Sequence, residues 1–345
     1  MEWLRWSLLA ALSAGLLAGC AGSGVASPPP AEVPAAPNQA LAWTQIAATG
    51  PWPEARRNHS LVHAAGHDLL VLFGGRKAST VLADMWVYDL KRSTWTEVRG
   101  GGPPGRFGHT AVWDGSRVLL FGGQAGPNFF NDTWAFDPSA RRWQETSPDG
   151  ERPAIRYGVG AAYDTTAGRL YISHGFTFQG RFDDTWGLTG AGPWENVTPS
   201  GERPLPRCLH RCLWDADGGR MLLFGGQSNE TPNLNDLWAY TPSTRRWARL
   251  APTGPPEPRH FSSWVLDEAG GRGLLFGGQG TATYGDLWAL DLKEERWTRL
   301  APQGTGPGPL HSHDAVYDPA GRRMLVFGGF KAGADTAELW ELKLP

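Results

Sequence analysis

The sequence predicts an all-β fold built from six copies of one unit, and three recurring features predict it. An apolar run closes on a glycine pair at Gly74-Gly75, Gly122-Gly123, Gly225-Gly226, Gly277-Gly278 and Gly328-Gly329, with His174-Gly175 in the third copy. An acidic residue then stands two before a tryptophan, as Asp84/Trp86, Asp132/Trp134, Asp184/Trp186, Asp236/Trp238, Asp286/Trp288 and Glu338/Trp340. A downstream tryptophan follows in five copies, at Trp95, Trp143, Trp194, Trp247 and Trp297. The step between copies is about 51 residues.

The second copy shows how each element arises. Residues 118–121 form a short apolar run that reads as a strand, and the glycines after it mark a sharp turn or a close backbone approach. Trp134-Ala135-Phe136-Asp137 reads as the next strand. A Pro/Ser/Arg turn separates it from a third, opening at Trp143. Upstream, a proline-containing loop leads into a strand that begins Arg-x-x-His, matched by Arg56/His59, Arg106/His109 and Arg207/His210. The remaining copies vary this as Arg156/Val159, Arg259/Ser262 and Leu310/His313.

These residues resemble the kelch repeat over roughly residues 41–345. The resemblance implies a six-bladed kelch β-propeller of four-stranded blades. Its first strand would be innermost, with the start of that strand and the loop after the glycine pair at one mouth of the central channel. The sixth copy lacks its downstream tryptophan, and Trp43 in Ala42-Trp43-Thr44-Gln45-Ile46 has the matching local form. The N-terminal strand is therefore expected to complete the last blade and leave no open sheet edge.

Composition places the chain in one long repeat domain. The 46 glycines and 28 prolines would suit disorder, but 18 regularly placed tryptophans argue for a packed core. A net charge of −2 gives no general drive toward nucleic acid or anionic membrane, and no nucleic-acid partner is expected.

Residues 1–19 read as a signal peptide, with Arg5 before a short apolar core at residues 7–17. Leu17-Ala18-Gly19-Cys20 resembles a bacterial lipobox, which implies lipidation at Cys20 and a lipid anchor in a bacterial membrane. Residues 20–40 are rich in Pro, Ala and Ser and read as a tether, and residues 41–345 as the propeller. The expected location is the cell envelope, at the outer membrane or on the periplasmic or extracellular face.

The chain carries no P-loop, dinucleotide fingerprint or nucleophile elbow, and no cofactor is expected. The histidines of 59–67 and 311–313 invite a metal reading, but His59 and His313 share the repeat position of His109 and His210. No metal site is assigned. Cys208 and Cys212 are four apart on an expected strand, about 13 Å, too far for a disulfide unless the strand breaks there.

The ligand-binding candidates are Arg56, Arg106, Arg156, Arg207 and Arg259, which could ring the channel mouth and take a carboxylate or phosphate bidentately. The competing reading of a residue repeated in every blade is blade packing. Gln124, Gln227, Gln279, Phe176 and Phe178 follow the glycine pairs, and the aromatics among them do not repeat. The leading function is a membrane-anchored, non-catalytic binding module that presents its channel mouth to a protein or glycan. The alternative, from the resemblance, is a periplasmic sugar mutarotase or epimerase acting on an acidic sugar.

Overall fold

A computed structural model describes residues 41–345. The expected signal peptide, Cys20 and the expected tether lie outside the described residues. The described chain forms six blades of four antiparallel strands each, arranged as a β-propeller. Blade one comprises Ser60–Ala64, Leu69–Phe73, Met85–Asp89 and Thr94–Glu97. Blade two comprises Thr110–Trp113, Val118–Phe121, Thr133–Asp137 and Arg142–Glu145. The middle strands of blades three to five run on through the glycine position, as in Arg169–Thr177 and Gly180–Thr189 of blade three.

Blade six takes Asp314–Asp318, Arg323–Phe327 and Leu339–Lys343 from the C-terminal end and Ala42–Ile46 from the N-terminal end. Trp43 pairs with Leu342, and Ile46 with Leu339. The expected closure is therefore present.

Each core lies between two blades, because each sheet buries both faces against its neighbours. Val71, Phe73 and Val87 of blade one pack with Leu120, Phe136 and Trp143 of blade two. The downstream tryptophan of one blade meets the phenylalanine of the preceding blade's Phe-Gly-Gly. Ring centroids are 5.4 Å apart for Trp95–Phe327 and Trp143–Phe73, 5.2 Å for Trp194–Phe121, 5.0 Å for Trp297–Phe224 and 5.1 Å for Trp43–Phe276. Trp43 thus does in the composite blade what its counterparts do elsewhere, adding ring contact to area burial.

A circle of backbone hydrogen bonds joins the blades at one mouth. The third residue of each Arg-x-x-His segment donates its N–H to the carbonyl of its counterpart in the blade before. The sequence runs Asn58 to Ser312 (2.8 Å), Gly108 to Asn58 (2.8 Å), Gly158 to Gly108 (2.8 Å) and Leu209 to Gly158 (2.8 Å). Phe261 to Leu209 (3.3 Å) and Ser312 to Phe261 (2.9 Å) close it. All six residues have φ between 55° and 69°, a region costly for residues with a Cβ. At Gly108 a Cβ would sit 1.9 Å from the Tyr157 ring, so only glycine fits there.

The glycine pairs supply a second link. Gly75 donates to Arg106 O (2.9 Å) in the next blade, and Gly123, Gly226, Gly278 and Gly329 repeat this toward Arg156, Arg259, Leu310 and Arg56. A Cβ on Gly74 would lie 2.7 Å from that same Arg106 oxygen.

Candidate functional site at the channel mouth

The five repeated arginines do not open onto the channel as a ligand-binding ring would. Each is 0–1% exposed and is used up inside its own blade. Arg56 donates Nη1 to Gly74 O (3.0 Å) and Asp84 Oδ1 (2.7 Å), Nη2 to Asp84 Oδ2 (2.6 Å) and Nε to Glu54 O (3.0 Å). Trp86 Nε1 donates to the same carboxylate at 2.7 Å. Arg106 with Asp132, Arg156 with Asp184, Arg207 with Asp236 and Arg259 with Asp286 repeat the arrangement. Phe130, Phe182 and Tyr284 lie 4.0, 4.0 and 4.2 Å from the guanidinium carbons of Arg106, Arg156 and Arg259. The packing reading of this series is the one the geometry supports. Blade six makes the point by substitution: Leu310 replaces the arginine, and Glu338 pairs with Lys331 instead (2.5 Å).

These carboxylates feel two opposed effects. Burial raises each carboxyl, while the hydrogen bonds and charge of its arginine lower it further. All five fall below the ordinary 3.8.

The residues after the glycine pairs do lie at the mouth, on one repeat position. Arg76, Gln124, Phe176, Gln227, Gln279 and Phe330 stand opposite Arg57, Phe107, Tyr157, Cys208, His260 and His311. The two sets surround the backbone circle. Three of the sequence candidates, Gln124, Gln227 and Gln279, are thus equivalent to Phe176. Arg76 and Phe330 share that position and were not singled out; superposing the six copies was the available signal. Gln124 turns its amide to Gly126 O (2.8 Å) and Gln279 pairs with Thr283 at the hairpin.

Blade one brings two cations, Arg57 and Arg76, close together. Arg57 is bonded to Asp335 (3.1 Å) and lies 4.5 Å from the Phe330 ring. Arg76 lies 4.9 Å from the Phe107 ring and has no hydrogen bond or ion pair from its guanidinium among the described residues. Burial and then the nearby Arg76 charge lower the affinity of Arg57 for its proton. Two cations thus share one partly wetted corner with a single carboxylate.

Blades two and three contribute an aromatic cluster. Phe129 meets Phe178 edge-on at 4.9 Å and Phe176 at 6.3 Å. Phe178 is 52% exposed, and Arg181 lies 5.4 Å from the Phe176 ring. Arg181 also donates to Gln227 Oε1 (2.9 Å) and to Asn229. The structure therefore brings Phe176, Phe178 and Gln227 together through an arginine that sequence reading passed over.

The deviation in blade three divides into two parts. Ser173 and His174 are fully buried. His174 meets Trp247 (6.2 Å) and His210 (5.4 Å), so it repacks the place that a phenylalanine and glycine hold elsewhere. Of the residues that follow, Phe176 is half-buried, and Phe178 and Gln179 are exposed.

The repeated histidines also belong to the scaffold. His109 Nε2 meets Ser60 Oγ and His313 Nε2 meets Ser263 Oγ, both at 2.9 Å and each in the preceding blade. Burial, followed by neighbouring arginine charge, takes both down to about 3, so they are neutral. The strand does break between the cysteines, at Leu209 (φ 62°), and both thiols remain free.

Comparison with known proteins agrees with this architecture. A model described as the KLHDC2/KLHL20/DRC7 Kelch-repeats domain matches residues 35–191 and again 189–345. The chain belongs to the kelch-repeat family. An F-box/kelch-repeat protein of Arabidopsis thaliana is 31% identical over 66% of this chain and 52% of its own length. Host cell factor 2 of Homo sapiens is 27% identical over 69% of the chain and 32% of itself. The leucine-zipper-like transcriptional regulator 1 homolog of Drosophila melanogaster is 29% identical over 70% and 26%. The aligned stretch spans about a quarter to a half of each of these relatives.

In this kelch propeller the arginine clamp is predicted to be structural. Arg106→Ala strands Asp132 and should destabilise the fold by about 3–5 kcal/mol. Adding Asp132→Ala should return part of that loss, measured by denaturant unfolding. The depressed carboxyls take up protons more readily in the unfolded chain. Their contribution is therefore present above the ordinary 3.8 and lost as pH falls through the lower folded values. Acid titration of the melting temperature should fall less steeply in Asp132→Asn than in the wild type.

Proposed function

We propose that this chain is a protein-binding module that receives its partner on the channel-mouth face and is held in the bacterial cell envelope by a lipid on Cys20. The observation that carries the reading is the incompletely neutralised Arg57–Arg76 corner, set against the half-buried rings of Phe330 and Phe107. Like charges in close quarters favour an incoming anion. A guanidinium stacked on a ring, with its N–H groups unspent, is prepared for a carboxylate or phosphate. The partner segment should therefore offer an acidic group to Arg57 and Arg76 and an apolar one to Phe178.

Two features support a protein partner. Phe129 and Phe178 pack edge-to-face at 81°, so they present an apolar knob rather than an open stacking plane for a sugar. Exposed large apolar residues among those described are confined to Ile155, Phe178 and Leu205, all in blade three or the loops that enter blades three and four. The sugar-enzyme alternative draws no support from the repeated arginines, which it would have used, because they are already saturated.

The test is cross-linking capture of partners in native envelopes by full-length chain. Arg76→Ala and Phe178→Ala should each reduce capture of the same protein at least tenfold with an unchanged melting temperature. Arg92→Ala, at an exposed hairpin away from the mouth, should not. Equal capture by all three variants would place the partner elsewhere.

The anchor is tested separately by metabolic labelling with a fatty-acid probe. Wild-type chain should label and Cys20→Ser should not; equal labelling of the two would contradict lipidation at that residue.

A further inference from the structure

Directly below the backbone circle, the inner strands place one residue per blade after the histidine position. These are Ser60, Thr110, Gly160, Arg211, Ser263 and Asp314. Four are small, and two carry opposite charges. This break in the repeat stands apart from the Arg–Asp clamps and the apolar inter-blade cores, although both charged residues bond to backbone groups of other blades.

Arg211 and Asp314 face a channel cavity of about 170 Å³, whose wall also includes Ser60, Thr110 and Gly160. Cavities of about 150 Å³ take a molecule the size of benzene, so a polar molecule of a few heavy atoms fits here. Arg211 crosses blade five, donating Nε to Ser262 O and Nη2 to His313 O (3.3 Å). Its Nη1 is 3.6 Å from Asp314 Oδ1, too long for a hydrogen bond. Asp314 Oδ2 accepts the Leu61 N–H of blade one at 2.9 Å. One guanidinium edge and one carboxylate oxygen are thus left facing the cavity.

We propose that the central channel contains a site for a small carboxylate, which binds the Nη1 edge of Arg211 as Asp314 takes up one proton from solvent. Charge balance requires the coupling. The Arg211–Asp314 pair is neutral, and a bound anion would leave the interior with one net negative charge. Protonating Asp314 Oδ1 restores neutrality and turns that oxygen into a donor toward the ligand. No bond other than the new O–H forms, and Arg211 stays protonated throughout.

The groups around Asp314 leave it as the one that titrates. Burial raises its carboxyl above the ordinary 3.8, and Arg211, then the Leu61 and Ala315 N–H groups, only partly oppose this. His313 on its own strand, His59 of blade one, His109 of blade two and His210 of blade four are all kept neutral by burial and nearby positive charge. Burial pushes Cys212 up to about 12, so its thiol is protonated.

The test is calorimetric titration of full-length chain with sodium propionate at constant ionic strength, in two buffers of different ionisation enthalpy. At pH values where Asp314 is ionised in the free protein, wild type should take up close to one proton per propionate bound. Its affinity should fall by about tenfold per pH unit once Asp314 ionises in the free protein. Asp314→Asn should bind without proton uptake and without that pH dependence. Arg211→Met should lose binding. If Arg211→Met fails to fold, proton uptake in wild type against its absence in Asp314→Asn still decides the matter. No propionate binding by wild type, binding retained in folded Arg211→Met, or wild-type binding without proton uptake would overturn the proposal. These outcomes do not depend on partner capture at the mouth, so the two readings fail separately.

Discussion

The circle of six peptide hydrogen bonds, one from each blade, is the constraint on which the rest of this propeller depends. A circle of this kind is complete or broken, because each N–H has one counterpart carbonyl in the preceding blade. Closing it requires a positive φ in every blade, a conformation with a steric cost at Asn58, Leu209, Phe261 and Ser312. The surroundings must hold those residues there. The arginine two positions earlier does so: its side chain is fixed by the blade's own Asp-x-Trp element, and in four of the five cases its carbonyl receives the previous blade's second glycine. Arg207 is the exception, since its preceding blade is the third, where His174-Gly175 replaces the pair.

This division of labour separates scaffold from site. What recurs around the ring is committed to the scaffold: the Arg–Asp clamp and the glycine pair in five blades each, the downstream tryptophan in all six once Trp43 is included, and the buried histidine in four. A buried ion pair is costly to desolvate, and its geometry has to be excellent to break even. Here it is bidentate, backed by a carbonyl and, in three blades, roofed by an aromatic ring. What differs from blade to blade lies outside this repeated scaffold. That set includes Arg57 and Arg76, the Phe129–Phe176–Phe178 cluster with Arg181, and the Arg211–Asp314 pair in the channel. The mouth residues and the channel pair are both carried by strands that this backbone circle joins, so one rigid scaffold positions both.

Much of the fold was legible in the sequence because it is written in periodic residues. The glycine pairs and tryptophans fixed the period, and Trp43 revealed the composite blade since it alone could supply the missing ring. The role of the arginines was harder to read. A residue repeated around a ring looks the same whether its side chain points inward to a ligand or sideways to a carboxylate. Both halves of the clamp were visible, but their pairing depends on how two strands and a loop meet in space. Gln124, Gln227, Gln279 and Phe176 share one repeat position with Arg76 and Phe330, which were missed because their chemistry differs. Blade three read as one irregular stretch, and packing resolves it into a buried half under Trp247 and an exposed half at Phe178.

Native-state hydrogen exchange of the circle amides tests the central claim most directly. On this account the N–H groups of Asn58, Gly108, Gly158, Leu209, Phe261 and Ser312 exchange together, as slowly as the inner strands, because opening one requires opening the ring. The amides of Gly75, Gly123, Gly226, Gly278 and Gly329 should fall in the same slow group. Rapid, independent exchange of the six circle amides while the blade strands stay protected would show that the propeller holds together without the circle, and would contradict the account.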